Sequence, residues 1–120
     1  MILKAFRYKV READELIIKL VIGYGQLAAT TISIGGHYLA SAEAKSTIEV
    51  KIPKKGKELV KHVLACTSTV KDVQDITDKT SITYSLTGGP EKFEKTLNAV
   101  VEENGGVLNY RVEFDFELEA

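Results

Sequence analysis

Val107-Leu108-Asn109-Tyr110-Arg111-Val112-Glu113-Phe114-Asp115-Phe116-Glu117 is the most regular stretch of the chain. Leu108, Tyr110, Val112, Phe114 and Phe116 fall on one side and Asn109, Arg111, Glu113 and Asp115 on the other, the two-residue period of a strand with one buried face. A strand this apolar on one side and this charged on the other belongs to a sheet packed on a core. The fold class is therefore mainly β.

Reading back from this strand, Asn104-Gly105-Gly106 suits the left-handed cap that ends a helix. Pro90 suits the first helical position, and Glu91 lies favourably near the positive end of the helix dipole. Between them Phe93, Leu97, Val100 and Val101 recur at helical spacing, with Lys92, Glu94, Lys95, Glu102 and Glu103 left for solvent. These features predict one amphipathic helix over about 90–103, just before the last strand.

Further back, Ile82, Tyr84 and Leu86 alternate within Thr80–Leu86, and Thr67, Thr69, Val70 and Val73 are strand formers. With Gln74–Lys79 as the connecting loop these two runs read as a hairpin. Lys57–Cys66 fits a helical stripe and an extended stretch about equally, and the strand formers that follow tip the reading to strand. Thr47–Ile52 alternates until Pro53 stops it. His37–Ala40 reads as a short edge strand, with Ala42–Lys45 either a helical turn or a loop.

Nearer the start, Phe6, Tyr8 and Val10 alternate with Ala5, Arg7 and Lys9, so Ala5–Val10 reads as a half-buried strand. Glu15–Ile22 carries apolar residues on both sides and reads as a central strand covered on both faces. Gly23-Tyr24-Gly25, followed by Thr30–Ile34, reads as a hairpin, and Gly35-Gly36 as a second turn.

About seven or eight strands and one helix must share one core, which predicts a single domain over residues 1–120. The expected architecture is an antiparallel β-sandwich or a partly closed barrel, with the helix over an open end or edge; a strongly curved α+β sheet is the competing arrangement.

Composition excludes several functions. The chain has 16 Lys and Arg against 17 Asp and Glu, a formal net charge of −1, so no field of one sign draws in nucleic acid. Lys51, Lys54, Lys55, Lys57 and Lys61 form the densest basic run, broken by Pro53, Gly56 and Glu58, and read as a solvated loop. Leu16–Ile22 is the longest largely apolar run and is far short of the ~20 residues that span a bilayer as a helix. One cysteine, Cys66, and no visible targeting signal lead to an expectation of a cytoplasmic protein.

Candidate sites are few. Asp72, Asp75 and Asp78 recur every three residues beside a loop, and such carboxylates can hold calcium through oxygen ligands, although Asp also favours turns for local backbone bonding. His37, His62 and Cys66 are the only residues resembling a nucleophile and its bases, and an enzyme would have His62, Cys66 and Asp72 as its candidates, against a plain reading of Cys66 as a buried, inert thiol. Gly88-Gly89 before the helix offers amide groups to a small anion but matches no phosphate loop.

Tyr24, His37 and Tyr38 sit beside expected turns, where half-exposed aromatic rings can bind a partner. With no required cofactor in view, the expected function is a non-catalytic interaction or structural module that contacts another protein or its own copy. The alternative is a carrier whose apolar cavity is lined by Phe6, Tyr8, Leu20, Tyr84, Tyr110 and Phe114.

Overall fold

A computed structural model describes residues 1–44, 46–74, 77–102 and 106–119. The elements in chain order are β1 (Ile2–Val10), β2 (Glu15–Ile22), β3 (Leu27–Ile34), β4 (His37–Ala44), β5 (Thr47–Lys55), α1 (Gly56–Leu59), β6 (Val63–Lys71), β7 (Lys79–Thr87), β8 (Phe93–Val100) and β9 (Val107–Leu118). They form two packed sheets, a five-stranded one in the order β1-β9-β6-β3-β4 and a four-stranded one in the order β5-β2-β7-β8. The expected fold class, a mainly β sandwich, is the observed one, and the sheets do not close into a barrel.

All pairings are antiparallel except that of β1 with β9, which runs parallel from Ile2 opposite Tyr110 to Val10 opposite Leu118. The alternation read from the sequence sends Leu16, Ile18 and Leu20 of β2 and Ile82, Tyr84 and Leu86 of β7 inward from one sheet. Leu64 and Cys66 of β6 and Tyr110, Val112 and Phe114 of β9 meet them from the other. Phe6, Phe93 and Phe114 stack in mixed tilted and edge-on geometry, with ring centroids 5.1–5.9 Å apart, where β8 faces β1 and β9.

The helix expected over 90–103 is not there. Thr87 to Lys92 is a connection, and Phe93–Val100 is strand β8, paired with β7 from Leu86 opposite Phe93 to Lys79 opposite Val100. Phe93 and Leu97 are four apart, which keeps them on one side of a strand as well as of a helix. Val100 decides between the two: it is 61% exposed, so the apolar stripe of the helical reading does not exist. Pairing with β7 runs along its whole length on one side, and Thr96 and Val100 are strand formers. The Asn104-Gly105 cap lies outside the described residues.

Among the described residues the one helix before the last strand is instead the single turn α1. It starts against the β1–β2 turn, where Gly56 and Lys57 donate to the carbonyls of Asp14 and Glu12 at 2.9 and 3.0 Å. Leu59, fully buried, plugs that end of the core. The ambiguous Lys57–Cys66 stretch is thus both things: one helical turn, then β6 from Val63.

Three further readings change. β2 is central, but only one of its faces is covered, because Lys19 and Val21 point to solvent. Gly23-Tyr24-Gly25 does not close a hairpin, since β2 and β3 belong to different sheets, and Gln74–Lys79 likewise carries the chain from β6 across to β7. Alternation reports which face of a strand is buried and is silent on which sheet it joins. Ala42–Ala44 is neither helix nor loop but the second half of β4.

Candidate functional site

Gly35 and Gly36 have φ of 58° and 80°, the left-handed pair that a tight two-residue turn between twisted strands requires. They turn β3 into β4, which pairs with β3 on one side only and ends the five-stranded sheet. The register sets Thr31 opposite Ser41 and Ala29 opposite Glu43, all on the outer face. Ala40, Ala42 and Ala44 oppose Ile32, Thr30 and Ala28, whose side chains are buried inward. Between Ile32 and Ser33 the register shifts: Leu39 is the extra residue, Tyr38 faces Ser33 and His37 faces Ile34. Such a bulge re-aims the side chains beside it, and Tyr38 stands 65% exposed, its hydroxyl 3.2 Å from Ser41 Oγ.

An edge strand leaves alternate backbone N–H and C=O groups without a strand to meet them, and proteins blunt such edges with Lys, Pro and charge. The sandwich has four edges. β1 carries Lys4, Arg7 and Lys9; β5 carries Lys51, Pro53, Lys54 and Lys55; β8 carries Glu94 and Lys95. β4, with the sequence His-Tyr-Leu-Ala-Ser-Ala-Glu-Ala, has no Lys, Arg or Pro and a single charged group, Glu43. Beside it on the outer face runs a shallow groove of about 530 Å³, lined by small and hydroxylated side chains including Ala29, Thr31, Ser41, Thr67 and Thr69, and by the carboxylate of Glu43.

His37 and Tyr38 therefore lie together on this edge. Tyr24 does not join them: it sits at the other end of β3, and eight extended residues span roughly 25 Å at ~3.3 Å each. Tyr24 is half exposed, holds a left-handed backbone with φ 57°, and borders a separate cleft of about 290 Å³ with Thr80, Asn98, Ala99 and Val100.

Of the three aspartates, Asp75 lies outside the described residues. Asp72 is almost fully buried and accepts the Gln74 N–H at 3.2 Å, a local turn bond. It also shares a hydrogen bond with Asp78, which holds the Asp78 carboxyl above the usual range. Among the described residues, no three His, Cys, Asp or Glu side chains converge in a way that could hold a metal ion.

His62, Cys66 and Asp72 do not assemble. His62 and Asp72 flank opposite ends of β6, and Cys66 is sealed between the sheets, where burial pushes its thiol up to about 12. A thiol that stays protonated is a poor nucleophile. The residues proposed to line a carrier cavity are core: Tyr84, Tyr110 and Phe114 are fully buried, and the Tyr8 hydroxyl accepts from Gly89 N–H at 3.2 Å and donates to the Glu91 carbonyl. Gly88 and Gly89 serve that β7–β8 connection, which leads into a strand.

The sequence reading singled out His37 and Tyr38 but passed over Ser41, Ala42 and Glu43. Alanine has no β preference, so this half of β4 carried no strand signal; the absence of Lys and Pro is informative only once the strand is known to be an edge. Comparison with protein-family models, with characterised proteins and with solved structures gives no significant match for the chain. No helix among the described residues is long and apolar enough to cross a membrane.

Proposed function

We propose that the protein is a non-catalytic interaction module that takes an extended polypeptide segment onto the free edge of β4. The observation that supports this reading is the contrast among the four edges, of which β4 alone lacks Lys, Arg and Pro. An added strand satisfies the outward backbone groups of β4 by main-chain hydrogen bonds, and side chains beside the edge select its sequence. Tyr38 and the adjoining groove supply such a selector on the outer face. A reducing, cytoplasmic setting suits a chain whose one cysteine is a buried thiol.

Panning a displayed peptide library against the immobilised protein tests the reading. Selected peptides are expected to protect the amides of β4 from hydrogen exchange and to lose binding to the Ser41→Pro variant. Binders whose protection falls on β1, β5 or β8, or the failure of any peptide to bind, would refute it.

A further inference from the structure

Building on the β4 reading, we infer that the segment received by this edge is β4 of a second copy, paired antiparallel about a two-fold axis at Ser41, so that two five-stranded sheets become one. Three features of the strand support self-pairing.

The first is steric. A two-fold axis at Ser41 sets Ala40 opposite Ala42, so the inner face at the centre of the junction holds nothing larger than a methyl group, and two backbones can approach to strand spacing. The second is electrostatic. In this register the only charged group of the strand, Glu43, does not meet its own copy; because Leu39 is an extra residue, Glu43 comes opposite the partner's Tyr38, whose hydroxyl can donate to the carboxylate. A net charge of −1 adds no long-range repulsion between copies.

The third feature is shape. Tyr38 protrudes from the outer face in the first half of β4, and the shallow groove over Ala29, Thr31, Thr67 and Thr69 lies beside its second half. Antiparallel pairing is the arrangement that carries the first half of one strand to the second half of the other. The partner's Tyr38 then stands beside the rim of this groove formed by Ser41 and Glu43, and the reverse holds by symmetry. An aromatic side chain packed against that rim adds apolar contact to the junction.

The test combines mass and position. Sedimentation of the wild type over a dilution series is expected to show a monomer–dimer equilibrium, lost in Ala42→Lys and Tyr38→Ser with circular dichroism unchanged. Ser41→Cys places a thiol opposite itself at a Cα separation of about 4.5–5.5 Å, within disulfide reach. It is expected to oxidise to a dimer that runs as one band without reductant, whereas Lys9→Cys on the β1 edge does not. A dimer that survives Ala42→Lys and Tyr38→Ser, or that fails to cross-link through Ser41→Cys, overturns the proposed pairing. A wild type that stays monomeric throughout overturns the second copy as occupant; peptide binding at β4, measured separately, then decides whether the edge reading stands without it.

Discussion

The backbone N–H of Val73 donates to Oε1 of Gln26 at 2.8 Å, joining positions 47 residues apart through a side chain with no exposed surface. The amide nitrogen of the same side chain donates to the carbonyls of Thr77 and Lys79 at 3.3 and 3.0 Å. One glutamine just before β3 thereby grips both ends of the β6–β7 crossing. Gln26→Ala strands three backbone groups at once, and buried groups left without partners cost ~1–3 kcal/mol each before relaxation, so a net loss of about 2–3 kcal/mol is expected in urea unfolding. A loss under ~1 kcal/mol would show that the crossing holds itself.

Within that crossing, the hydrogen bond between Asp72 and Asp78 raises the Asp78 carboxyl. A folded state that binds a proton more tightly than the unfolded chain gains stability below the unfolded pKa of about 3.9, and that gain is lost as pH rises through the raised value. Asp78→Asn keeps a neutral, donating side chain at every pH. The difference in Tm, variant minus wild type, should therefore increase on going from acid to neutral pH. A difference that is flat with pH would mean that the two carboxyls do not share a proton.

Tyr84 presents the opposite situation. It is fully buried, its hydroxyl has no hydrogen-bond partner among the described residues, and burial, with Cys66 and Tyr110 nearby, pushes its phenol strongly upward. Removing a buried hydroxyl that bonds to nothing relieves a desolvation cost, so Tyr84→Phe should be neutral or stabilising by about 1 kcal/mol. Destabilisation beyond ~1 kcal/mol would reveal a partner for that oxygen.

Gly56 separates propensity from packing. In an exposed helix Gly→Ala stabilises by up to ~1 kcal/mol. Here a Cβ at Gly56 would stand 1.9 Å from the carbonyl oxygen of Arg11, a backbone atom in the turn that α1 rests on. Gly56→Ala should destabilise by roughly 2 kcal/mol or more, because the turn must shift to admit it. A Tm that rises would place the α1 contact further from Arg11.

The strands were legible wherever one face is buried, as in β1, β7 and β9, because burial alone writes the period of two. The Phe93–Val101 stretch misled because four residues separate Phe93 from Leu97, a spacing that suits both a helix and a strand; only pairing with β7 resolves it. Sheet membership was invisible for a related reason: Gly23-Tyr24-Gly25 and Gln74–Lys79 have turn chemistry whether the chain doubles back or crosses the core. Of the candidate site, His37 and Tyr38 were found through their place beside Gly35-Gly36. The edge itself was missed, since its character lies in the absence of blocking residues. Gln26 escaped notice because a lone glutamine before a strand reads as surface.

The position of β9 between β1 and β6 sets an order of events during synthesis. Until Val107–Leu118 emerges from the ribosome, β1 has no strand to pair with in its own sheet and β6 lacks its second neighbour, so the five-stranded sheet exists only as β4-β3-β6. The β5-β2-β7-β8 sheet is complete by then, with Phe93 of β8 lacking the Phe114 ring that packs on it in the finished fold. The nascent chain thus passes through a stage that exposes apolar surface and unpaired strand edges together, the combination that chaperones recognise. Closing it requires a strand to insert between two others, one of them parallel and more than a hundred residues away. Folding that ends on so distant a pairing is slow, and the vulnerable interval is correspondingly long.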